Sequence, residues 1–208
     1  MDLCLSLASP REVMQTMTMP EVIARLEELL PVHEPELWES LEPPAAAGDL
    51  EVLRQVVAPF DVADEWIAVL RWHNGGRWSQ WWPLLNSGNL LSARESMEQY
   101  QQLCEITEEW QWHRSWLPIT HDSWNQCGIE LEGDHRGLVI DGSFPDPPRP
   151  LAPSVLAMLH ATCAVIAAGL QDEEPVRLPH AYVRVRQKEL IDPIYALYGA
   201  MPTDLAAA

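Results

Sequence analysis

The chain has 208 residues, 47 % of them apolar, enough for one domain with a sizeable core and too few for a second full one. Its 31 acidic residues against 13 Lys and Arg give a formal net charge of −18. That field repels phosphate backbones and anionic membrane surfaces and attracts a basic protein, so neither nucleic acid nor membrane is an expected partner.

Four cysteines (Cys4, Cys104, Cys127 and Cys163) form no C-x-x-C pair, and Met1 to Pro20 lacks the apolar core of a signal peptide. A cytoplasmic protein without a disulfide framework is the expectation. Lys188 is the only lysine.

Val22, Ile23, Leu26, Leu29 and Leu30 recur at helical spacing, and Pro31 stops the run. Leu37, Trp38 and Leu41 predict another helical turn before Pro43-Pro44. Asp49 is placed to cap a helix carrying Leu50, Leu53, Val56 and Val57, and Asp61 to cap the next, with Val62, Trp66, Ile67 and Leu70 on one face. Asn74-Gly75 ends that helix, because both residues tolerate a positive φ. Trp78 to Leu85 read as a short strand, and Asn89 as the cap of a helix with Leu90, Ala93, Met97, Tyr100 and Leu103 inward.

Trp116-Leu117-Pro118-Ile119 is a short strand-like run. Ile129 and Leu131 alternate with Glu130 and Glu132, Leu138 and Ile140 follow with the same period, and Gly133-Asp134-His135 joins them as a hairpin turn. Pro145 to Pro150 read as a surface loop. Pro153-Ser154 open a long helix with Val155, Leu159, Cys163 and Ile166 inward, and Gly169 ends it. Beyond Gln171, Tyr182 to Arg186 alternate like a strand, and Ile191 to Tyr198 form a last helical turn. The order predicts an α+β fold: N-terminal helices, a central antiparallel sheet, a long closing helix and a short C-terminal extension. The boundaries are 1–33 for a helical flank, 34–170 for the main domain and 171–208 for an extension packed on or beside it.

Pro43-Pro44, Asp49-Leu50, Leu53, Ala58-Pro59-Phe60-Asp61 and Leu70-Arg71-Trp72-His73-Asn74-Gly75 stand in an order that resembles the SUKH superfamily, the Smi/Knr cell-wall-assembly family. Trp82-Pro83-Leu84, Trp116-Leu117-Pro118-Ile119, the hairpin ending at Asp141, and Ala152-Pro153-Ser154-Val155 look like its later strands and closing helix. The likeness spans Leu37 to Gly169. Two places depart from the pattern: Phe60 stands where Leu-Pro is usual, and Trp124 to Gly128 replace an Asp-Gly-Gly turn. The resemblance implies that Trp72, Asn74, Gly75, Trp82, Trp116, Pro118 and Asp141 carry the family's structural motif. It also implies a fold without catalysis. Bacterial members act as immunity proteins that bind a toxin domain, often a nuclease, and fungal relatives look like regulators of cell-wall synthesis.

The residues alone supply no coherent catalytic site, and it is the resemblance that favours binding over chemistry. His113, His121, Cys127 and His135 are ligand types, but their spacings of 8, 6 and 8 match no tight zinc pair, so neither metal nor cofactor is expected. Cys127, His121 and Asp122 can be drawn as a nucleophilic set, but no nucleophile elbow or phosphate-cradling loop frames them, so no catalytic residue is assigned. Ten tryptophans are the stronger signal. Trp66, Trp72, Trp81, Trp82 and Trp116 lie on patterned elements and read as core. Trp78, Trp110, Trp112 and Trp124 lie in polar surroundings. Trp124 is the expected exposed anchor for a basic partner, with Asp122, Glu130, Glu132, Asp134, Glu108 and Glu109 as the negative face around it. A regulatory or scaffold protein of the same fold is the alternative. The extension carries Arg177, Arg184, Arg186 and Lys188, available to dock on that same acidic face.

Overall fold

The computed structural model describes residues 15–77, 82, 89–106, 112–121, 126–142, 147–170, 176–178, 181–183, 185–199 and 201. The α+β order holds across them. Four helices come first: α1 (Met19–His33), α2 (Pro35–Ser40), α3 (Ala47–Val57) and α4 (Asp64–Trp72). Then follow β1 (Asn89–Leu90), α5 (Ala93–Ile106), β2 (Trp116–Pro118), β3 (Thr120–His121), β4 (Cys127–Glu130), β5 (Val139–Asp141) and β6 (Arg149–Ala152). The chain closes with α6 (Val155–Ala167), β7 (Val176–Leu178), β8 (Ala181–Val183) and α7 (Val185–Tyr198).

Local chemistry accounts for some of the helix ends. The Glu21 carboxylate accepts the Thr18 N–H at 2.7 Å, which caps α1. The helix passes Pro31 and ends at His33, a turn beyond the expected stop. Proline is tolerated there because only the last turn follows it, and the chain continues straight into α2 through Trp38 N–H to the Glu34 carbonyl at 2.9 Å. Neither expected aspartate cap is used. Ala46 and Ala63 occupy the cap positions, which places Asp49 and Asp64 inside the first turns, where the helix dipole favours negative charge. Asp61 lies outside α4 and is exposed. In α6 the Ser154 hydroxyl accepts the Ala157 N–H at 3.1 Å, and Gly169, at φ +66°, closes the far end.

The main sheet is antiparallel in the order β2-β4-β5-β6, and β1 pairs with β3 beside it. The hairpin forms with Gly128 opposite Ile140 and a 3-10 turn at Gly133–His135. Asn89 does not cap a helix. It belongs to β1, opposite His121, a non-local pairing that helical spacing could not reveal. The Pro-rich stretch is not loop throughout: Arg149 pairs with Asp141 as β6 begins, and the register slips between Val139 and Ile140, where Leu151 is the extra residue. The expected strand from Trp78 to Leu85 lies outside the described residues apart from Trp82, which is buried.

One continuous core joins Val22, Leu26 and Leu30 of α1, Leu53 of α3, Trp66 and Leu70 of α4, Leu117 and Ile129 of the sheet, Leu159 of α6, and Ile194 and Tyr195 of α7. Each such Leu or Ile, moved from water to the interior, contributes about 1.5–3 kcal/mol. The first helix and the closing extension therefore share the core of residues 34–170. α7 packs along α6, and Lys188 pairs with Asp192 of its own helix at 2.9 Å. A smaller cluster of Leu103, Trp112, Trp116, Leu138 and Ile140 covers the other face of the sheet.

Candidate functional site

Two segments far apart in sequence form the floor of the site. The stretch after α2 zips onto the stretch after α4: Leu41 bridges Gly76, the Glu42 N–H reaches the Gly75 carbonyl at 3.0 Å, and the Asn74 N–H reaches the Pro43 carbonyl at 3.2 Å. Gly75, at φ +81°, lies so close to the start of α5 that a Cβ there would stand 2.5 Å from the Ser92 nitrogen. The Asn74 side-chain oxygen accepts the Ala93 N–H at 2.8 Å, and Ser92 and Glu95 cap one another at the same helix end. The chain leaves α4 at His73, already extended at φ −141°, and not at Asn74-Gly75 as expected; that pair instead seats the first turn of α5. Above this floor lies an open groove of about 550 Å³, lined by Glu42, Pro44, Asp49, Arg77 and Glu95 among others.

An aromatic rim adjoins the groove through the Glu42 backbone and reaches α1, although its rings are not among the residues that line the groove. The His73 ring stands edge-on between two indoles, with centroids 5.4 Å from Trp38 and 4.7 Å from Trp72, and Trp72 in turn meets buried Trp82 at 6.5 Å. Hydrogen bonds hold two of the three rings. The Trp72 Nε1–H donates to the Glu27 carboxylate at 3.2 Å, and His73 Nδ1–H donates to the Glu42 carbonyl at 2.7 Å, which fixes its tautomer. Trp38, Trp72 and His73 are half-buried. The Glu42 carboxylate meets Arg77 at 3.2 Å in an exposed pair, too hydrated to hold either side chain firmly. The rim therefore offers rigid π-faces next to carboxylates, a setting that attracts a guanidinium or ammonium group.

The hairpin face differs from the sequence expectation. Glu130 does not project into solvent: it is 8 % exposed, and its carboxylate accepts the Trp116 indole N–H at 2.7 Å and the N–H groups of Leu131 and Glu132 at 3.1 Å. Its charge is held by three donors inside the fold. Glu132 and Asp134 are exposed at the turn. Trp124, Asp122, Glu108 and Glu109 lie outside the described residues, as do Trp78, Trp81 and Trp110.

Trp112 is not a surface residue. It is buried, donates to the Trp116 carbonyl at 3.1 Å, and lies over Gly128 and Gly142, where a Cβ on either would stand 2.8 Å from its ring. Glycine in a strand interior is the signal that could have located it. Pro118 stands opposite Gly128, and buried Asp141 takes two hydrogen bonds from Arg149 at 2.9 and 2.7 Å. Of the motif residues, Asn74 lines the groove, Gly75 lies in the floor against the start of α5, Trp72 belongs to the aromatic stack with Trp82 behind it, and Trp116, Pro118 and Asp141 build the sheet.

Among the described residues no three His, Cys, Asp or Glu side chains are grouped to hold a metal ion, and no helix is long and apolar enough to cross a membrane. No family model matches the chain, and no curated protein matches it.

Proposed function

We propose that this chain is a cytoplasmic, non-catalytic binding protein of SUKH type that takes up a basic protein partner on the groove and its aromatic rim. In the immunity reading that partner is a toxin domain, of nuclease kind, whose substrate-binding cations are covered by the complex. The observation that supports it best is the edge-to-face stack of Trp38, His73 and Trp72, half-buried and tied to Glu27 and Glu42. Rigid, partly exposed indoles beside carboxylates are the composition of an interface centre that receives Arg or Lys. The net charge of −18 steers such a partner toward the molecule before contact and disfavours nucleic acid as a direct ligand.

The test is co-expression with the C-terminal domain of the neighbouring upstream gene's product, if that domain is basic and toxic, read as survival, followed by binding of the two purified proteins. Survival, a stoichiometric complex, and a loss of affinity of about tenfold or more in Trp72→Ala support the reading, since an interface centre residue contributes at least about 1–2 kcal/mol. Glu42→Gln is expected to slow association more than it speeds dissociation. Failure to protect sinks the immunity reading. A complex that Trp72→Ala and Trp38→Ala leave intact would place the interface elsewhere.

A further inference from the structure

Three chain segments meet at one phenol. Tyr198, the last residue of α7, places its hydroxyl 2.8 Å from His160 Nδ1 in the middle of α6. The same oxygen accepts the Met17 N–H, two residues before α1, at 2.9 Å, and lies 3.4 Å from the Met17 carbonyl. The two rings stack edge to face at 5.7 Å. His160 is 2 % exposed, in a helix buried along nearly its whole length.

We propose that His160, Tyr198 and Met17 form a proton-operated clasp, which ties the lead-in of α1 and the closing helix α7 to α6 near neutral pH and loosens both in mild acid. The proton count dictates the behaviour. Neutral imidazole keeps one acceptor nitrogen, and with Nδ1 in that role the phenol donates to it while its oxygen receives Met17 N–H. Imidazolium has two N–H donors and no acceptor. Its Nδ1–H must then share the phenol oxygen with Met17 N–H, and the phenol proton is driven to the Met17 carbonyl at 3.4 Å, a weak bond at best. The new charge would also sit in an apolar helix without a hydrogen-bonded counter-ion.

The groups on the surrounding elements are already engaged. Glu21 of α1 accepts Thr18 N–H and hydroxyl at 2.7 Å each, and Glu65 of α4 accepts the Leu156 N–H at 2.9 Å. Arg25 of α1 pairs with Glu28, and Arg149 of β6 is held by Asp141. On α6 itself, burial pushes the Cys163 thiol up to about 12, so it stays neutral, and on α7 burial likewise raises Tyr195 and Tyr198. Burial holds the His160 imidazole below its ordinary range, consistent with a ring that is neutral while the clasp is closed.

Hydrogen–deuterium exchange on the full chain tests the clasp, comparing about pH 7.5 with about pH 5.5, where carboxylates remain ionised but an ordinary histidine is charged. After correction for intrinsic exchange, amides of residues 17–22 and 190–199 are expected to lose protection by up to about tenfold, the ceiling set by the one pH unit between pH 5.5 and the ordinary imidazole value of an opened end, while the β4–β5 hairpin keeps its own. In His160→Asn the amide oxygen can take the phenol proton but cannot ionise, so the two ends should be equally protected at both pH values. Tyr198→Phe should loosen both ends at both pH values and so remains informative if the asparagine variant folds poorly. Unchanged protection in the parent chain, an equal acid loss in His160→Asn, or a loss spread evenly over the hairpin would each overturn the proposal.

Discussion

Replacing Gly75 by alanine is the sharpest test of how the groove floor is built, because the structure supplies its own control. Gly75 and Gly133 both have positive φ, +81° and +68°, so a side chain at either meets the left-handed penalty of about 1–2 kcal/mol. They differ in the space around them. A Cβ on Gly133 meets nothing within 4 Å, whereas on Gly75 it would stand 2.5 Å from the Ser92 nitrogen, 2.8 Å from the Leu91 carbonyl carbon and 2.9 Å from the Leu90 oxygen. All three are backbone atoms, and no rotamer change can relieve them. The loop must move away from α5, which weakens Gly76 N–H to the Leu90 carbonyl at 3.0 Å and the Asn74 cap on Ala93 at 2.8 Å. At about 0.5–1.5 kcal/mol for each bond, Gly75→Ala should cost about 2–5 kcal/mol. Gly133→Ala should cost only the conformational term, about 1–2 kcal/mol. Urea unfolding of the two variants reads the difference as separated midpoints at similar slope. Coincident midpoints would refute the close approach and with it the seating of α5 on Asn74-Gly75.

Glu130→Ala strands the buried Trp116 indole N–H and takes one acceptor from the Glu132 N–H, while the Leu131 N–H keeps the Ser115 carbonyl at 2.8 Å, so a loss of about 1–3 kcal/mol is expected in the same assay, where a solvent-facing glutamate would lose almost nothing. Gly128→Ala forces the Trp112 ring off the sheet and should change the near-ultraviolet circular dichroism of the tryptophans; an unchanged spectrum would show that the ring does not lie there. Cys163, its thiol pushed up to about 12 by burial, should resist alkylation of the native protein at about pH 8, whereas half-buried Cys104 reacts, as peptide mapping would show. Acid should cost stability through His160. Its folded value is lowered, so the unfolded chain binds the proton first as pH falls through the ordinary 6.5, and stability declines from there until the folded value is passed. His160→Asn should flatten that segment of the stability–pH curve, and an unaltered curve would place its cause elsewhere.

Much of the fold was legible because its signals are local. Val22, Leu26, Leu29 and Leu30 repeat at helical spacing and are buried together in α1, and Ser154 and Gly169 bound α6 by capping chemistry that needs no distant partner. The β4–β5 hairpin followed from alternation around a glycine-bearing turn. The expectation faltered where a residue answers to something remote. Asn89 reads as a helix cap until Thr120 and His121 arrive to pair with its strand. Asp49 and Asp61 have the chemistry of caps, but packing places the helix starts at Ala47 and Asp64.

The candidate site divides along the same line. Pro43-Pro44 and Asn74-Gly75 both stood out in the chain, but only folding brings them together as one floor and sets Trp38, His73 and Trp72 along its rim. Composition by itself determined the acidic field, the α+β order and the surplus of tryptophan, because charge count and hydrophobic period are properties of the chain. The tertiary structure decided which of those charges and indoles face water. Alternation marks a polar face only when one side of a sheet is open, and here Trp112 and Trp116 close the second side. That is why Glu130, outward by its period, became a buried acceptor.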